Sequence, residues 1–201
     1  MARLKKLLVF TLAGWSGFYV MAVELLSGRI LAPSFGNSIY VWGGIITVFM
    51  LALSVGYLIG GHLSVHNPSL RKLGLLLISA SITTLPVILV GEPVLDWIFN
   101  NIHDPRYGSL MASSALLFIP CVLSGAISPY AIRLLSTEKN VSGKSAGKLY
   151  FISTFGSAAG TISTSFYLVL LFEINSIFIG MMLISAALGL LAVSLQGSEN
   201  E

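Results

Sequence analysis

The chain has 201 residues, 55% of them apolar and only 9% charged, with a formal net charge of +3 and a mean hydropathy of +0.89. Soluble domains carry about a quarter charged residues, so these few charges cannot cover a water-facing surface. A soluble enzyme and a nucleic-acid-binding domain are both excluded, and the bilayer is the solvent the composition fits.

The basic residues stand in short clusters between apolar runs, the arrangement that orients membrane proteins. The single cysteine, Cys121, lies inside an apolar run, so no intramolecular disulfide is expected.

From the N-terminus, Arg3, Lys5 and Lys6 precede a long apolar run. That start is like a secretion signal, but the run exceeds a signal core and no clean small-x-small site follows, so a retained first span is expected. About 20 apolar residues cross the hydrocarbon. Six segments of a single transmembrane domain (residues 1–201) qualify, at about 7–26, 38–58, 73–90, 110–131, 149–171 and 176–195. Between the third and fourth, residues 92–107 read as a short interfacial helix with Trp97 at headgroup level, followed by a turn. The fold class expected is an all-α integral membrane bundle of about six helices.

Alternate connections divide the bases unequally. Arg3, Lys5, Lys6, Arg71, Lys72, Arg133, Lys139, Lys144 and Lys148 fall on one side, Arg29 and Arg106 on the other. The positive-inside rule then places both termini in the cytoplasm of a cell (inner) membrane protein. Gly56 and Gly60 in the second span correspond to Gly156 and Gly160 in the fifth. The correspondence fits a 3+3 inverted repeat as well as it fits chance, since small-xxx-small pairs are common in membrane helices.

A carboxylate inside a span is costly unless protonated, paired or near water, which singles out Glu24. It shares a helical face with Gly14, Gly17, Met21 and Gly28, so close helix packing is expected there. Glu24 is either a cation or proton site within the bundle, or a group that snorkels outward or pairs with Arg29. Ser153, Gly156, Gly160, Thr164 and Tyr167 form a second stripe, suited to packing or to lining a polar passage. In the fourth span Pro120 and Pro129 flank Ser124 and Ser128. A kinked or broken helix is expected, its freed carbonyls either coordinating a cation or satisfied by neighbours. Glu24, Glu92, Asp96, Asp104 and Glu173 lie towards the base-poor side, and such a patch concentrates cations. His62, His66 and His103 show no ligand spacing, so no metal site is expected. Nucleotide-binding glycine motifs and H-E-x-x-H do not occur, and no cofactor is expected.

The stretch from Glu24 through Arg29, Pro33, Gly36 and Tyr40 to Trp42, continued by Gly56-Tyr-Leu-Ile-Gly-Gly61, resembles the first two spans of membrane-bound spermidine synthase-like proteins. Residues 125–133 resemble that family's fourth span and residues 147–161 its fifth. The resemblance implies a transmembrane region related to half of a major-facilitator transporter, which in the family commonly precedes a cytoplasmic aminopropyltransferase domain. Residues 1–201 do not include that domain, so no catalytic role is carried over and no enzyme activity is expected. His62 and His66 stand where relatives often carry an Asp-Arg pair, so no gating role is carried over either. What the resemblance implies is a transporter-like module for a small cationic solute of polyamine type. The alternative is a non-catalytic scaffold docking a separately encoded aminopropyltransferase-like protein or another membrane complex. Lipid, a second copy in a homodimer and that soluble enzyme are the partners expected. Candidate solute-binding residues are Glu24, Arg29, Tyr40, Ser124, Ser128, Tyr150 and Thr164. Candidate packing glycines are Gly14, Gly17, Gly28, Gly56, Gly60, Gly156 and Gly160.

Overall fold

In the computed structural model, which describes residues 2–136 and 143–197, the regular structure is helical and no strand occurs among the described residues. The helices are α1 (Ala2–Phe35), α2 (Ile39–Leu63), α3 (Leu70–Ile82), α4 (Leu85–Asn101), α5 (Pro105–Ser136), α6 (Gly143–Ser163), a π-helical segment (Thr164–Leu168), α7 (Val169–Leu171) and α8 (Ile174–Gly197). Six spans are long and apolar enough to cross a membrane: Arg3–Phe35, Ile39–Leu63, Leu70–Asn101, Pro105–Leu135, Ser145–Leu171 and Ile174–Leu195. Leu58, Leu89 and Leu170 are at least 70% exposed on the outer surface, which water would not tolerate on this scale and lipid does. The chain is therefore a multi-pass membrane bundle. Lys139 of the charge count and the tail at 199–201 lie outside the described residues.

The third span departs from expectation. No break separates residues 73–90 from the segment read as interfacial, because α4 runs continuously from Leu85 to Asn101. The break comes earlier, at Thr83 and Thr84. Pro86, in the first turn of α4, has no N–H to continue the helix from α3. The Thr83 hydroxyl bonds back to Ser79 O and Ala80 O (3.0 and 2.9 Å) and that of Thr84 to Ser81 O (2.6 Å), which offers the backbone an alternative to helix. The 19 residues between Lys72 and Glu92 carry no charge and cover roughly 29 Å at helical rise. The end of α4 therefore projects beyond the hydrocarbon as a rigid extension of the span, with Trp97 exposed on it. A short non-helical connection at 102–104 stands where the turn is expected.

The fourth span is not broken: α5 passes through Pro120 and Pro129 as one continuous helix. Neighbouring helices can satisfy the backbone that proline frees within a membrane bundle, and α5 packs on α1, α2, α3 and α4.

The spans pair first with fifth, second with fourth and third with sixth. Exchanging spans one, two and three for four, five and six converts the first pair into the second and leaves the third unchanged. That is the packing symmetry of a 3+3 repeat. Glycine makes each pairing close. A Cβ on Gly17 would strike the Ser153 carbonyl, one on Gly156 the Gly14 carbonyl, and one on Gly160 the Phe18 backbone. In the symmetry-related pair, Gly56 faces the Val122 carbonyl and Gly60 the Ala126 backbone. Gly74 and Gly189, which the sequence reading did not single out, do the same for α3 against α8. At Gly14 the close neighbour is a side chain, Ile152, which a Cβ would approach to 3.1 Å, and Gly28 lies under the Trp42 ring.

Two apolar clusters divide the bundle lengthwise. One joins Val9, Leu12, Leu73, Tyr130 and Leu149; the other joins Leu26, Phe35, Val41, Ile98 and Phe178. Lys6, Arg71, Arg133 and Lys148 adjoin the first cluster in sequence, while Arg29 and Arg106 belong to the end formed by the second. Tyr130 ties α5 to the start of α3, its hydroxyl accepting from Ser69 N (3.0 Å).

Candidate functional site

Three side chains of α1 hydrogen-bond to other spans inside the bundle. The Trp15 indole donates to Ser185 Oγ on α8 (2.8 Å), and Ser16 Oγ donates to the Ser124 carbonyl on α5 (3.4 Å). The Tyr19 hydroxyl lies 2.9 Å from Thr84 Oγ1 at the break in the third span. Because Thr84 donates to Ser81 O, Tyr19 is the donor to Thr84. Trp15, Ser16 and Tyr19 were missed in the sequence. Their recurrence at steps of three and four on the face beside the glycine stripe was the signal that could have found them.

Glu24 is half-buried on the same helix. Ser27 Oγ donates to its backbone carbonyl (2.6 Å), but among the described residues its carboxylate has no hydrogen bond or ion pair. Glu24 and Arg29 therefore do not form the pair that their spacing allowed.

Arg29 is exposed and lies between two hollows. The larger, a cleft of about 660 Å³, is formed by α1, α4 and the start of α8. Glu92 and Asp96 on α4 and Glu173 before α8 line it together with Arg29. Three of the five acids expected on the base-poor side thus share one cleft. The smaller hollow, about 250 Å³, lies between α1, the start of α2 and the π-helical segment. Gly36, at φ +79°, ends α1 and turns the chain into α2, as glycine does where the left-handed conformation is required. Asn37 in that turn accepts from the Trp42 indole (2.6 Å), holding the ring against Gly28.

The other candidates do not converge on these hollows, Thr164 excepted, which is buried in the wall of the smaller one. Ser124 is buried and Ser128 partly buried along α5. Tyr40 and Tyr150 are exposed near opposite ends of the bundle, Tyr40 in the first turn of α2 and Tyr150 early in α6, so no single site holds both.

Tyr40 instead meets a local cluster. Asp104 caps α5 by accepting from Arg106 N (2.9 Å), with Pro105 in the first helical position. The Arg106 guanidinium also grips the Asp104 carboxylate, at 2.7 Å from Nη2 to Oδ2, and lies 5.8 Å from the Tyr40 ring centre and 5.9 Å from that of Tyr107. The Arg106 hydrogen bonds hold the Asp104 carboxyl below its ordinary value. A lowered pKa contributes stability that is full above the unfolded carboxylate value and disappears as pH falls through the folded one. Asp104→Asn keeps a competent cap and removes the charge. The difference in unfolding temperature between parent and variant should be constant near neutrality and shrink under acid, as a melting series across pH would show. A difference that persists unchanged below the parent's carboxyl transition contradicts the assignment.

No protein-family model matches the chain, and neither the curated proteins nor the solved structures contain a match.

Proposed function

We propose that the chain is a transporter-like membrane module for a small cationic solute of polyamine type, without catalytic residues of its own. We place its termini in the cytoplasm of a cell membrane and its Arg29 end on the outer side. The observation that carries the reading is Glu24, a half-buried carboxylate on a membrane-spanning helix with no protein partner among the described residues. Such a group is retained at a cost of a few kcal/mol unless something else neutralises it, and a cationic solute or a proton does so. Glu92, Asp96 and Glu173 line a cleft at the same end, where they raise the local concentration of cations. The resemblance to membrane-bound spermidine synthase-like proteins supports the same solute class, and the pairing symmetry of the spans supports a repeat of transporter type.

The purified protein in liposomes should take up labelled putrescine or spermidine. Glu24→Gln keeps the shape and removes a charge-assisted contact worth about 1.5–3 kcal/mol, so apparent affinity should fall about tenfold or more. Uptake equal to that of empty liposomes sinks the polyamine assignment.

A second reading, a scaffold or homodimer subunit, draws on the fifth span. Phe151, Phe155 and Phe166 are each at least 65% exposed along it, a broad aromatic face free to meet another protein. Absent uptake together with a second copy or a stoichiometric membrane partner retained in mild detergent would favour this second reading.

A further inference from the structure

The smaller hollow beside Arg29 differs in chemistry from the acid-lined cleft. Its walls include the guanidinium-bearing Arg29, Asn37, Trp42, Thr164 and Ser165, and no carboxylate lines it. We infer that this hollow binds a phosphate-type oxyanion, presented either by a lipid headgroup or as a free ion.

The first support is the donor set. Arg29 supplies a planar fork suited to phosphate, and among the described residues it has no ion pair. The Asn37 side-chain oxygen is engaged by the Trp42 indole, which leaves the amide N–H groups as donors. Ser165 adds a hydroxyl. The only charge in the wall is thus positive.

The second support is independent of charge. Thr164 is completely buried, and its Oγ1 is the one buried side-chain polar atom without a partner among the described residues. A buried hydroxyl left unpaired is costly, and native proteins seldom keep one without an ion, a water or a ligand to satisfy it. Thr164 opens the π-helical segment Thr164–Leu168, an irregularity frequent at functional sites.

The third support is depth. Arg29 follows Lys6 by 23 residues on one unbroken helix, roughly 35 Å along its axis. With Lys6 at one surface, Arg29 reaches the opposite headgroup layer, where phosphate is the abundant anion. Gly28 lets the Trp42 ring pack directly on α1 beside Arg29, since a Cβ there would lie 2.6 Å from the ring. The site binds its anion whether or not the chain transports anything.

The test uses the full chain in a phosphate-free sugar detergent. Its unfolding temperature is followed against inorganic phosphate, with chloride at equal ionic strength as reference, and separately against short-chain phosphatidylglycerol. Protection by phosphate assigns a free ion; protection by the lipid alone assigns a headgroup. Arg29→Gln and Thr164→Val should each weaken the protecting species about tenfold, the scale of one lost charge-assisted contact, while Thr164→Ser, which keeps the hydroxyl, should retain it. Thr164→Val is informative even without an added anion, because removing an unpaired hydroxyl should leave the fold intact or raise its melting temperature. No protection of the parent by either species overturns the site, and so does protection that survives unchanged in both the Gln and Val variants.

Discussion

Gly60→Ala is expected to destabilise the bundle by about 1–3 kcal/mol, whereas Gly43→Ala on the same helix should be neutral or stabilising by up to about 1 kcal/mol. The two substitutions add the same methyl group to α2 and gain the same helix propensity. They differ in what the methyl meets. At Gly43 nothing lies within 4 Å, while at Gly60 the new carbon would lie 2.6 Å from the Ala126 Cα and closer still to its carbonyl oxygen. Those are backbone atoms of α5, so neither a rotamer change nor a flexible side-chain tip can relieve the clash. The helices must separate, and the van der Waals contact that holds membrane helices together is lost with them. Gly156→Ala, against the Gly14 backbone, should behave like Gly60→Ala, because the two glycines occupy symmetry-related pairings. Thermal unfolding of detergent-purified variants measures all three. Equal melting temperatures for the Gly43 and Gly60 variants would contradict the packing described.

The second large effect concerns the break in the third span. Thr84→Val should cost about 1–3 kcal/mol, more than Tyr19→Phe, although both remove the same hydrogen bond. Valine at 84 leaves the Tyr19 hydroxyl, on a side chain only 2% exposed, with no acceptor. Phenylalanine at 19 removes the group that needs the acceptor, and Thr84 keeps its own bond to Ser81 O. The double variant should then be no less stable than Thr84→Val alone. Melting curves for the two single variants and the double one form the cycle that tests this. A Tyr19→Phe variant that is the less stable of the two singles would mean that Tyr19 contributes through something other than this bond.

Much of the architecture was legible because it depends on short-range chemistry. Apolar runs of span length identify membrane helices whatever they pack against, so the six spans follow from residues 7–195 with errors mainly at their ends. Pro86 and the two threonines before it carry a local signal for the broken third span, but Pro120 and Pro129 carry one as well, and α5 absorbs them without breaking. The glycine stripe on the first span was visible from spacing, and so was the Gly56/Gly60 and Gly156/Gly160 correspondence. Gly74 and Gly189 stood in no repeated pattern; only their meeting across α3 and α8 distinguishes them from an unpacked glycine such as Gly43.

The sequence by itself determined the solvent, the number of spans and the presence of a carboxylate inside one of them, because each rests on the cost of placing given side chains in hydrocarbon. Only the tertiary structure decided which helices pair, that Arg29 does not neutralise Glu24, and that Glu92, Asp96 and Glu173 meet around one cleft. Glu173 lies 77 residues beyond Asp96, and no periodicity acts over that distance. It arrives beside α4 because glycine backbones in the first and fifth spans, and in the third and sixth, approach closely enough to set the positions of their ends.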